Sequence, residues 1–276
     1  MAKLDRLGWA AATSFEAYGV RLGVRVNKPE VLPGLADRFP PGSRPTTSPL
    51  VDRLYSLWLG ERRGSVRGFH LLYAGVARRA RTTSLEEALE ALESDLRLSV
   101  AAAARRRVFV HAGVVGWRGR AIVLPGRSCS GKTTLVAELL RAGATYLSDE
   151  FAVIDGRGRV HPFAKPLSIR DGAQVRKQPA AELGGAVGTA PLPIGLIAFS
   201  AYRPEARWRP LPLSPGQGLL ALIPHAVPVR RRPRASLTAL QKAVESARVL
   251  KTSRGQAEEA AAWILRHVDA IVEGEA

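Results

Sequence analysis

A run of eight residues near the middle of the chain has the residue types and the spacing that could hold a chain of phosphates. It matches G-x-x-x-x-G-K-[ST] at every fixed position. The residues, with the threonine that follows the motif, are Gly126-Arg127-Ser128-Cys129-Ser130-Gly131-Lys132-Thr133-Thr134. Small side chains let backbone N–H groups wrap an anion, and the N-terminus of a following helix adds positive potential. We therefore predict a nucleoside triphosphate here, with Lys132 reaching its β- and γ-phosphates and the Thr133 hydroxyl ligating Mg²⁺. ATP is the expected nucleotide, although no motif that would read the base is visible.

Cys129 is the fourth residue of this motif and the only cysteine of the chain, so no internal disulfide can form. A glycine at this position would tolerate a positive φ more readily than cysteine does, which predicts mild backbone strain. A thiol at a helix N-terminus can have a lowered pKa and be oxidisable. The alternative is a small residue that merely fits. The cysteine content agrees with a reducing cytoplasm.

Two adjacent carboxylates, Asp149 and Glu150, follow the loop closely, starting 17 residues after Lys132. The short spacing indicates that the helix after the loop leads directly to a neighbouring strand whose end faces the phosphates. One carboxylate could then hold Mg²⁺ beside Thr133, while the other takes the proton of an acceptor hydroxyl. The alternative is a solvated turn.

The elements that must position these residues are readable from the hydrophobic pattern. Apolar stretches at 108–115 and 120–124 predict two strands, the second running straight into the loop. A helix is expected after the loop, ending near Gly143. A strand is expected at 146–148, and strands 151–154 and 159–163 flank a hairpin turn at 155–158.

The region before the loop is predicted to form a small α/β unit. Alternation over 20–26 predicts a half-buried strand, and two further short strands are expected at 55–59 and 70–76. Ser84 and Glu87 form a capping box at the start of an amphipathic helix. We therefore divide the chain into a small N-terminal α/β region, 1–105, and a P-loop catalytic domain, 106–276.

The remainder of the chain has weaker signals. Residues 173–193 are rich in Gly, Ala and Pro and are interpreted as a mobile loop, and 192–200 as a core strand. Helices are expected at 236–249 and 256–268. Four basic residues just before the first of these helices could dock an acidic acceptor, or form a solvated face. They are Arg230, Arg231, Arg232 and Arg234.

Composition limits the classes of partner. The formal charge is +17, which favours acidic partners, although an arginine-rich solvated surface is the simpler interpretation. No apolar stretch is long enough to span a bilayer and no signal peptide is visible. We therefore expect a soluble, cytoplasmic protein with no membrane partner.

Several of these residues together resemble the catalytic domain of HPr kinase/phosphorylase, and more closely its shorter relatives, the HPr-kinase-like serine kinases. The resemblance is clear over about residues 108–170, weaker from 192 onward and faint before 108. It implies an α/β fold with a P-loop-containing mixed sheet related to phosphoenolpyruvate carboxykinase. The matching residues are His111-Ala112, the stretch 121–124, the loop 126–134, Leu135, Gly143 and Leu147-Ser148-Asp149-Glu150.

The resemblance also implies roles for single residues. Asp149 matches the general base of the family, and Glu150 stands where the family has a second aspartate near the metal. His111 matches a histidine beside the phosphate site, the alternative being a core histidine bonded to a backbone carbonyl. Arg170 precedes Asp171 where the family has glycine. It is expected to bind phosphate or stabilise transferred charge, with a surface ion pair as the alternative.

The leading hypothesis is an ATP- and Mg²⁺-dependent kinase. It would transfer the γ-phosphoryl group to a serine-type hydroxyl of a protein, peptide or small molecule, with Lys132 and Arg170 stabilising the transferring charge. A non-catalytic, nucleotide-dependent regulator is a second hypothesis, although binding alone needs no second carboxylate. A nucleic-acid-associated ATPase is a third, without a recognised nucleic-acid module to support it. The acceptor and any homo-oligomer stay open.

Overall fold

The computed structural model describes residues 2–61, 68–126, 130–171 and 174–274. Contacts within the chain divide it into two units, one ending at Arg105 and the other beginning at Arg106. No helix within the described ranges is long and apolar enough to cross a lipid bilayer.

The first unit, over residues 2–61 and 68–105, is a six-stranded sheet with one long helix packed on it. Its helices are α1 (Ala2–Asp5) and α2 (Leu85–Ala103), with 3₁₀ turns at Pro29–Val31 and Pro33–Arg38. Its strands are β1 (Ala11–Ala17), β2 (Val20–Val26), β3 (Arg44–Pro45), β4 (Arg53–Trp58), β5 (His70–Ala74) and β6 (Ala77–Thr82). The strand order is β3-β1-β2-β4-β5-β6, with only the β2–β4 pair parallel among these neighbours.

The predicted strand over 20–26 is confirmed with the same bounds. Val20, Leu22, Val24 and Val26 are buried, as the period-two alternation requires. The strands expected at 55–59 and 70–76 are present as β4 and β5.

The helix start at Ser84 is confirmed, but the reciprocal capping box is wrong. Ser84 Oγ accepts a hydrogen bond from the Glu87 N–H, at 3.3 Å. The Glu87 carboxylate instead accepts from the Thr82 hydroxyl, and Thr82 Oγ1 accepts the Ser84 N–H at 3.1 Å. Thr82, two residues before the cap, therefore satisfies the donor that Glu87 was expected to reach.

The second unit is a mixed sheet with helices on both faces. Its helices are α3 (Lys132–Arg141), α4 (Pro215–Leu222), α5 (Pro233–Glu245) and α6 (Ala257–Gly274), with 3₁₀ turns at Ala180–Leu183 and Ile223–His225. Its strands are β7 (Val108–Trp117), β8 (Arg120–Pro125), β9 (Thr145–Ser148), β10 (Phe151–Ile154), β11 (Val160–His161), β12 (Leu167–Asp171), β13 (Gln174–Gln178), β14 (Ile194–Tyr202), β15 (Leu211–Pro212) and β16 (Arg248–Arg254).

The large sheet has the order β11-β10-β7-β8-β14-β16-β15, with β9 also paired to β7. Strands β8, β14 and β16 are parallel, so their carboxyl ends meet at one edge. Strand β7 is antiparallel to β8, β9 and β10. Successive residues of β8 enter opposite cores: Ile122 packs with α3 and α6, and Val123 packs with α5. The α/β class with mixed sheets is confirmed, and the hairpin of β10 and β11 forms where it was expected.

Two predictions in the second unit are wrong, and one helix was not predicted. Residues 174–178 form β13, which pairs with β12, and 180–183 form a 3₁₀ turn, so 173–193 is not one loop. The helix expected to run to 249 ends at Glu245, and Arg248–Arg254 is a strand. Helix α4 had no counterpart in the sequence prediction. In the first two cases pairing with another strand outweighs the local pattern.

Candidate functional site

The phosphate-loop motif lies between strand β8 and helix α3, the context that the motif requires. Gly131 has a left-handed φ of 79°, and its carbonyl accepts the Leu135 N–H at 3.2 Å, which starts the helix. A β-carbon on Gly126 would lie 2.6 Å from Ser130 Oγ, so the loop closes on itself tightly. Arg127, Ser128 and Cys129 lie outside the described residues, and the strain and thiol reactivity predicted for Cys129 stay predictions.

Lys132 and Thr133, the first two residues of α3, are both half-buried, whereas Thr134 is exposed. The Lys132 ammonium donates to the Gly126 carbonyl at 2.8 Å and so joins the two ends of the loop. The Ser130 hydroxyl is buried and has no hydrogen-bond partner among the described residues. The loop therefore gathers N–H and ammonium donors at the N-terminus of a helix, where the helix dipole adds positive potential.

Asp149 and Glu150 lie between strands β9 and β10, at the point where the pairing with β7 is interrupted. Strands β9 and β10 both pair with β7, and the Ala112 N–H donates to the Glu150 carbonyl at 3.2 Å between them. Ser148 Oγ accepts the N–H groups of Glu150 and Phe151, each at 3.1 Å, which shapes the bend. A β-carbon on Gly113 would lie 2.5 Å from Val136 Cγ2, so α3 packs closely on β7 beside this bend.

Asp149 is directly hydrogen-bonded to the phosphate-loop helix. Thr133 Oγ1 donates to Asp149 Oδ2 at 2.9 Å. The residue is only 9% exposed, and Oδ1 accepts no hydrogen bond from the residues that the structure describes. Burial raises the pKa of Asp149 to about 6, against the opposing effects of the Thr133 hydrogen bond and of Lys165 and Lys132. The carboxyl therefore titrates close to neutral pH.

Glu150 faces a cation that the sequence analysis missed. Lys165 Nζ lies 3.5 Å from Glu150 Oε2, and the Lys165 carbonyl accepts the Tyr146 hydroxyl at 2.8 Å. Lys165 precedes β12, and its neighbours in sequence form no motif that would have singled it out. It places a positive charge on the acidic pair from outside the loop.

His111 lies on β7 next to the acidic pair. Its carbonyl accepts the Gly126 N–H at 3.1 Å, and its half-buried ring packs on Phe151 with centroids 4.8 Å apart. Burial, with the charge of Lys132, lowers the pKa of His111, while Glu150 acts in the opposite direction. The two roles considered for His111, a histidine beside the phosphate site and a core histidine bonded to a backbone carbonyl, both stay predictions.

Arg170 and a basic segment around Arg232 are candidate binding residues from the sequence, and the structure describes the side chains of the segment but not that of Arg170. Arg170 belongs to β12 and pairs with Val175 through the backbone, but its side chain lies outside the described residues. In the basic segment before and within α5, Arg230, Arg231 and Arg234 are exposed. Arg232 instead is half-buried and donates to the Arg107 carbonyl at 3.2 Å.

A second residue that the sequence analysis missed, Arg254, reaches the loop from the end of β16. Its Nη2 donates to the Gly131 carbonyl at 2.7 Å, across 123 residues of sequence. A lone arginine in a polar stretch carries no local signal of such a contact.

The donor set around the loop fits Mg²⁺. In the described ranges, no cluster of three or more His, Cys, Asp or Glu could hold a metal by itself. Thr133 and Asp149 supply adjacent hard oxygens, and Asp149 Oδ1 is buried and accepts from no donor in the part of the chain that the structure describes. Mg²⁺ is usually bound through one or two carboxylates together with phosphate oxygens and water, so the two side chains suffice.

Comparison with known proteins adds no assignment. No protein-family model matches the chain, and no curated protein matches it. The resemblance to HPr-kinase-like proteins therefore stays a prediction from the residues.

Proposed function

We propose that this chain is a Mg²⁺-dependent kinase that transfers the γ-phosphoryl group of a nucleoside triphosphate, ATP, to a serine-type hydroxyl. The observation that carries the proposal is the hydrogen bond between Thr133 and Asp149. It joins a phosphate-loop helix to a buried carboxyl group, and phosphoryl transfer needs both within reach of the same γ-phosphate.

The loop residues would bind the triphosphate. Backbone N–H groups at the start of α3 point to the phosphates, and Lys132 exchanges its bond to the Gly126 carbonyl for bonds to phosphate oxygens. Thr133, with Glu150 or Asp149, would hold Mg²⁺, which when bound neutralises part of the negative charge on those oxygens. Arg170 would stabilise the charge of the transferring group, a role that rests on the family resemblance alone.

Asp149 would act as the general base. Its pKa near 6 leaves it largely ionised at neutral pH yet basic enough to accept a proton from a hydroxyl. The proton moves from the acceptor hydroxyl to Asp149 as the acceptor oxygen forms its bond to phosphorus and the bond to the leaving nucleoside diphosphate breaks. The charge of Lys165, whose ammonium lies 3.5 Å from Glu150 Oε2, favours the ionised form of Asp149, whereas Glu150 disfavours it.

A transfer assay tests the proposal. Radiolabelled ATP and Mg²⁺ are incubated with free serine, serine-containing peptides and the chain itself, and label in each acceptor is counted. The variant Asp149→Asn should slow transfer by about 10²- to 10⁴-fold, the usual contribution of a general base, while nucleotide binding persists. The control is Asp269→Asn, an α6 carboxylate bonded to Trp117 and Arg118, which should transfer at the wild-type rate.

Three outcomes would contradict the proposal. If label passes only to water with every acceptor, the chain is not a kinase for these acceptors. If nucleotide binds but label never leaves it, the chain is a nucleotide-dependent regulator. Equal rates of transfer by wild type and Asp149→Asn would show that Asp149 is not the general base.

A further inference from the structure

Arg254 ends the last parallel strand of the large sheet, at the edge where the phosphate loop also lies. It pairs in register with Tyr202 at the end of β14. Strands β8, β14 and β16 are parallel, so the loop that follows β8 and the residue that ends β16 belong to the same edge. In sheets of this kind, ligands bind beyond the carboxyl ends of the strands.

The guanidinium of Arg254 is buried but has no carboxylate partner in the described ranges. The residue is 3% exposed. Nη2 donates to the Gly131 carbonyl at 2.7 Å and Nη1 to the Gly255 carbonyl at 3.2 Å. The guanidinium carbon lies 5.4 Å from the Tyr202 ring centroid. Nε is buried and donates to no described acceptor. Among the described residues, carbonyl dipoles and an aromatic face are therefore all that offset its charge.

Such an arrangement is costly in the ligand-free protein. Arginine stays protonated in proteins, and burying its charge without an anion beside it is unfavourable. The neighbouring groups increase the positive potential, because Lys132 and the N-terminus of α3 adjoin the same Gly131. Arg254 and the helix N-terminus lie at Gly131, and the Lys132 ammonium lies at the Gly126 carbonyl. Three sources of positive potential are thus found at the two ends of the loop, which favours an anion at this edge.

Gly131 is the point through which Arg254 contacts the loop. A β-carbon on Gly131 would overlap Arg254 Nη2, so the approach of the guanidinium requires a glycine there. The same Gly131 carbonyl also accepts the Leu135 N–H of the first turn of α3. Arg254 therefore fixes the residue at which the loop becomes a helix.

We infer that Arg254 is a positioning residue of the phosphate site, holding Gly131 through its carbonyl and supplying a fixed positive charge that a bound polyphosphate balances. This inference rests on the proposed nucleotide site. It assigns the end of β16 to that site and predicts that affinity for the phosphate chain itself depends on Arg254, whatever the acceptor.

The experiment measures binding of Mg²⁺-ATP and of inorganic pyrophosphate by calorimetry at several salt concentrations. The variants are Arg254→Met, which removes the charge, and Arg254→Lys, which keeps it without the planar fork. The control is Lys251→Met, an exposed cation on the same strand. We expect Arg254→Met to raise both dissociation constants about tenfold or more and to weaken their salt dependence, since screening acts on fewer charges. Arg254→Lys should keep the wild-type salt dependence.

The outcomes separate charge from structure. If Arg254→Met binds both ligands like Lys251→Met, the inference is overturned. It is also overturned if Met and Lys variants lose affinity equally with unchanged salt dependence, because Arg254 would then be only a structural clamp. Should Arg254→Met fail to fold, Arg254→Gln and Arg254→Lys make the same comparison. If the wild type binds both ligands but transfers no phosphoryl group, the proposed kinase function is wrong and the inference about Arg254 still holds. If the wild type binds neither ligand, both the kinase proposal and the inference are wrong.

Discussion

Asp149 and Asp155 flank the four-residue strand β10, one just before it and one just after it, and both are buried. Asp155 Oδ1 accepts the N–H groups of Arg157 and Arg159, at 2.8 and 3.1 Å, and Oδ2 contacts the Arg159 guanidinium and the His161 ring. Asp149 has one donor in the described structure, the Thr133 hydroxyl, and one oxygen without any.

The surroundings move the two pKa values in opposite directions. Burial raises the pKa of Asp155, but hydrogen bonds from His161 and from two backbone N–H groups outweigh it and lower the pKa to about 2. At Asp149 burial prevails and the pKa rises to about 6. Asp155 thus accepts hydrogen bonds on both oxygens and holds a hairpin together. Asp149 has one oxygen without a donor in the described ranges, and its raised pKa is a cost in stability at neutral pH. The contrast separates a structural carboxylate from a candidate functional one.

The largest expected effect on stability is at Asp155. The substitution Asp155→Asn should lower the free energy of unfolding by about 2 to 4 kcal/mol, because it weakens charged hydrogen bonds at a buried site. The contribution of the ionised carboxylate is fully present above about pH 4 and is lost as pH falls through about 2. Urea unfolding at pH 7 and pH 3 checks this, and the gap between the variant and wild type should narrow at pH 3. An equal gap at both pH values would contradict the low pKa.

A smaller effect of opposite sign is expected at Asp149. Because its folded-state pKa is raised, the ligand-free protein loses stability as pH rises from about 4 through 6. The neutral Asp149→Asn should therefore be more stable than wild type by about 1 to 3 kcal/mol at pH 8, and nearly equal to it at pH 4. Thermal unfolding of both proteins at the two pH values measures the difference. Destabilisation at pH 8 would show that Asp149 is a structural carboxylate, like Asp155.

The smallest effect concerns Lys165, whose charge lowers the pKa of Asp149. Removing that charge in Lys165→Met should move the acidic limb of the pH–rate profile for phosphoryl transfer upward by about half a pH unit. The matched control is Lys242→Met, which removes an exposed lysine on α5 and should leave the profile unchanged. If the acidic limb of the pH–rate profile is unchanged in both variants, the charge of Lys165 does not affect the pKa of Asp149.

The parts of the site that were predictable are those encoded by neighbours in sequence. The loop lies between an apolar strand and an amphipathic helix, and the Asp149-Glu150 pair follows the next strand, so local patterns placed each on the correct element. The contact of Thr133 with Asp149 then follows from a short connection that leaves the strand little freedom.

The parts that were missed depend on distant partners. Strand β16 has buried residues side by side, Val249 and Leu250, since a parallel strand covered on both faces does not alternate cleanly. The preceding helix is therefore predicted to extend to 249, over the first two residues of β16, and no strand is predicted for the rest. Arg254 and Lys165 act on residues of other elements, and no spacing within their own segments reports such contacts.

The pairing of both β9 and β10 with β7 limits how the sequence between them can vary among related chains. Each flank of the acidic pair is fixed against β7, so one extra residue between Ser148 and Phe151 would turn every side chain of a flank to the opposite face of the sheet. Substitutions on either flank leave the register intact, but an insertion or deletion there does not. Related chains should therefore tolerate changes of side chain around the pair far better than any change in the length of the gap.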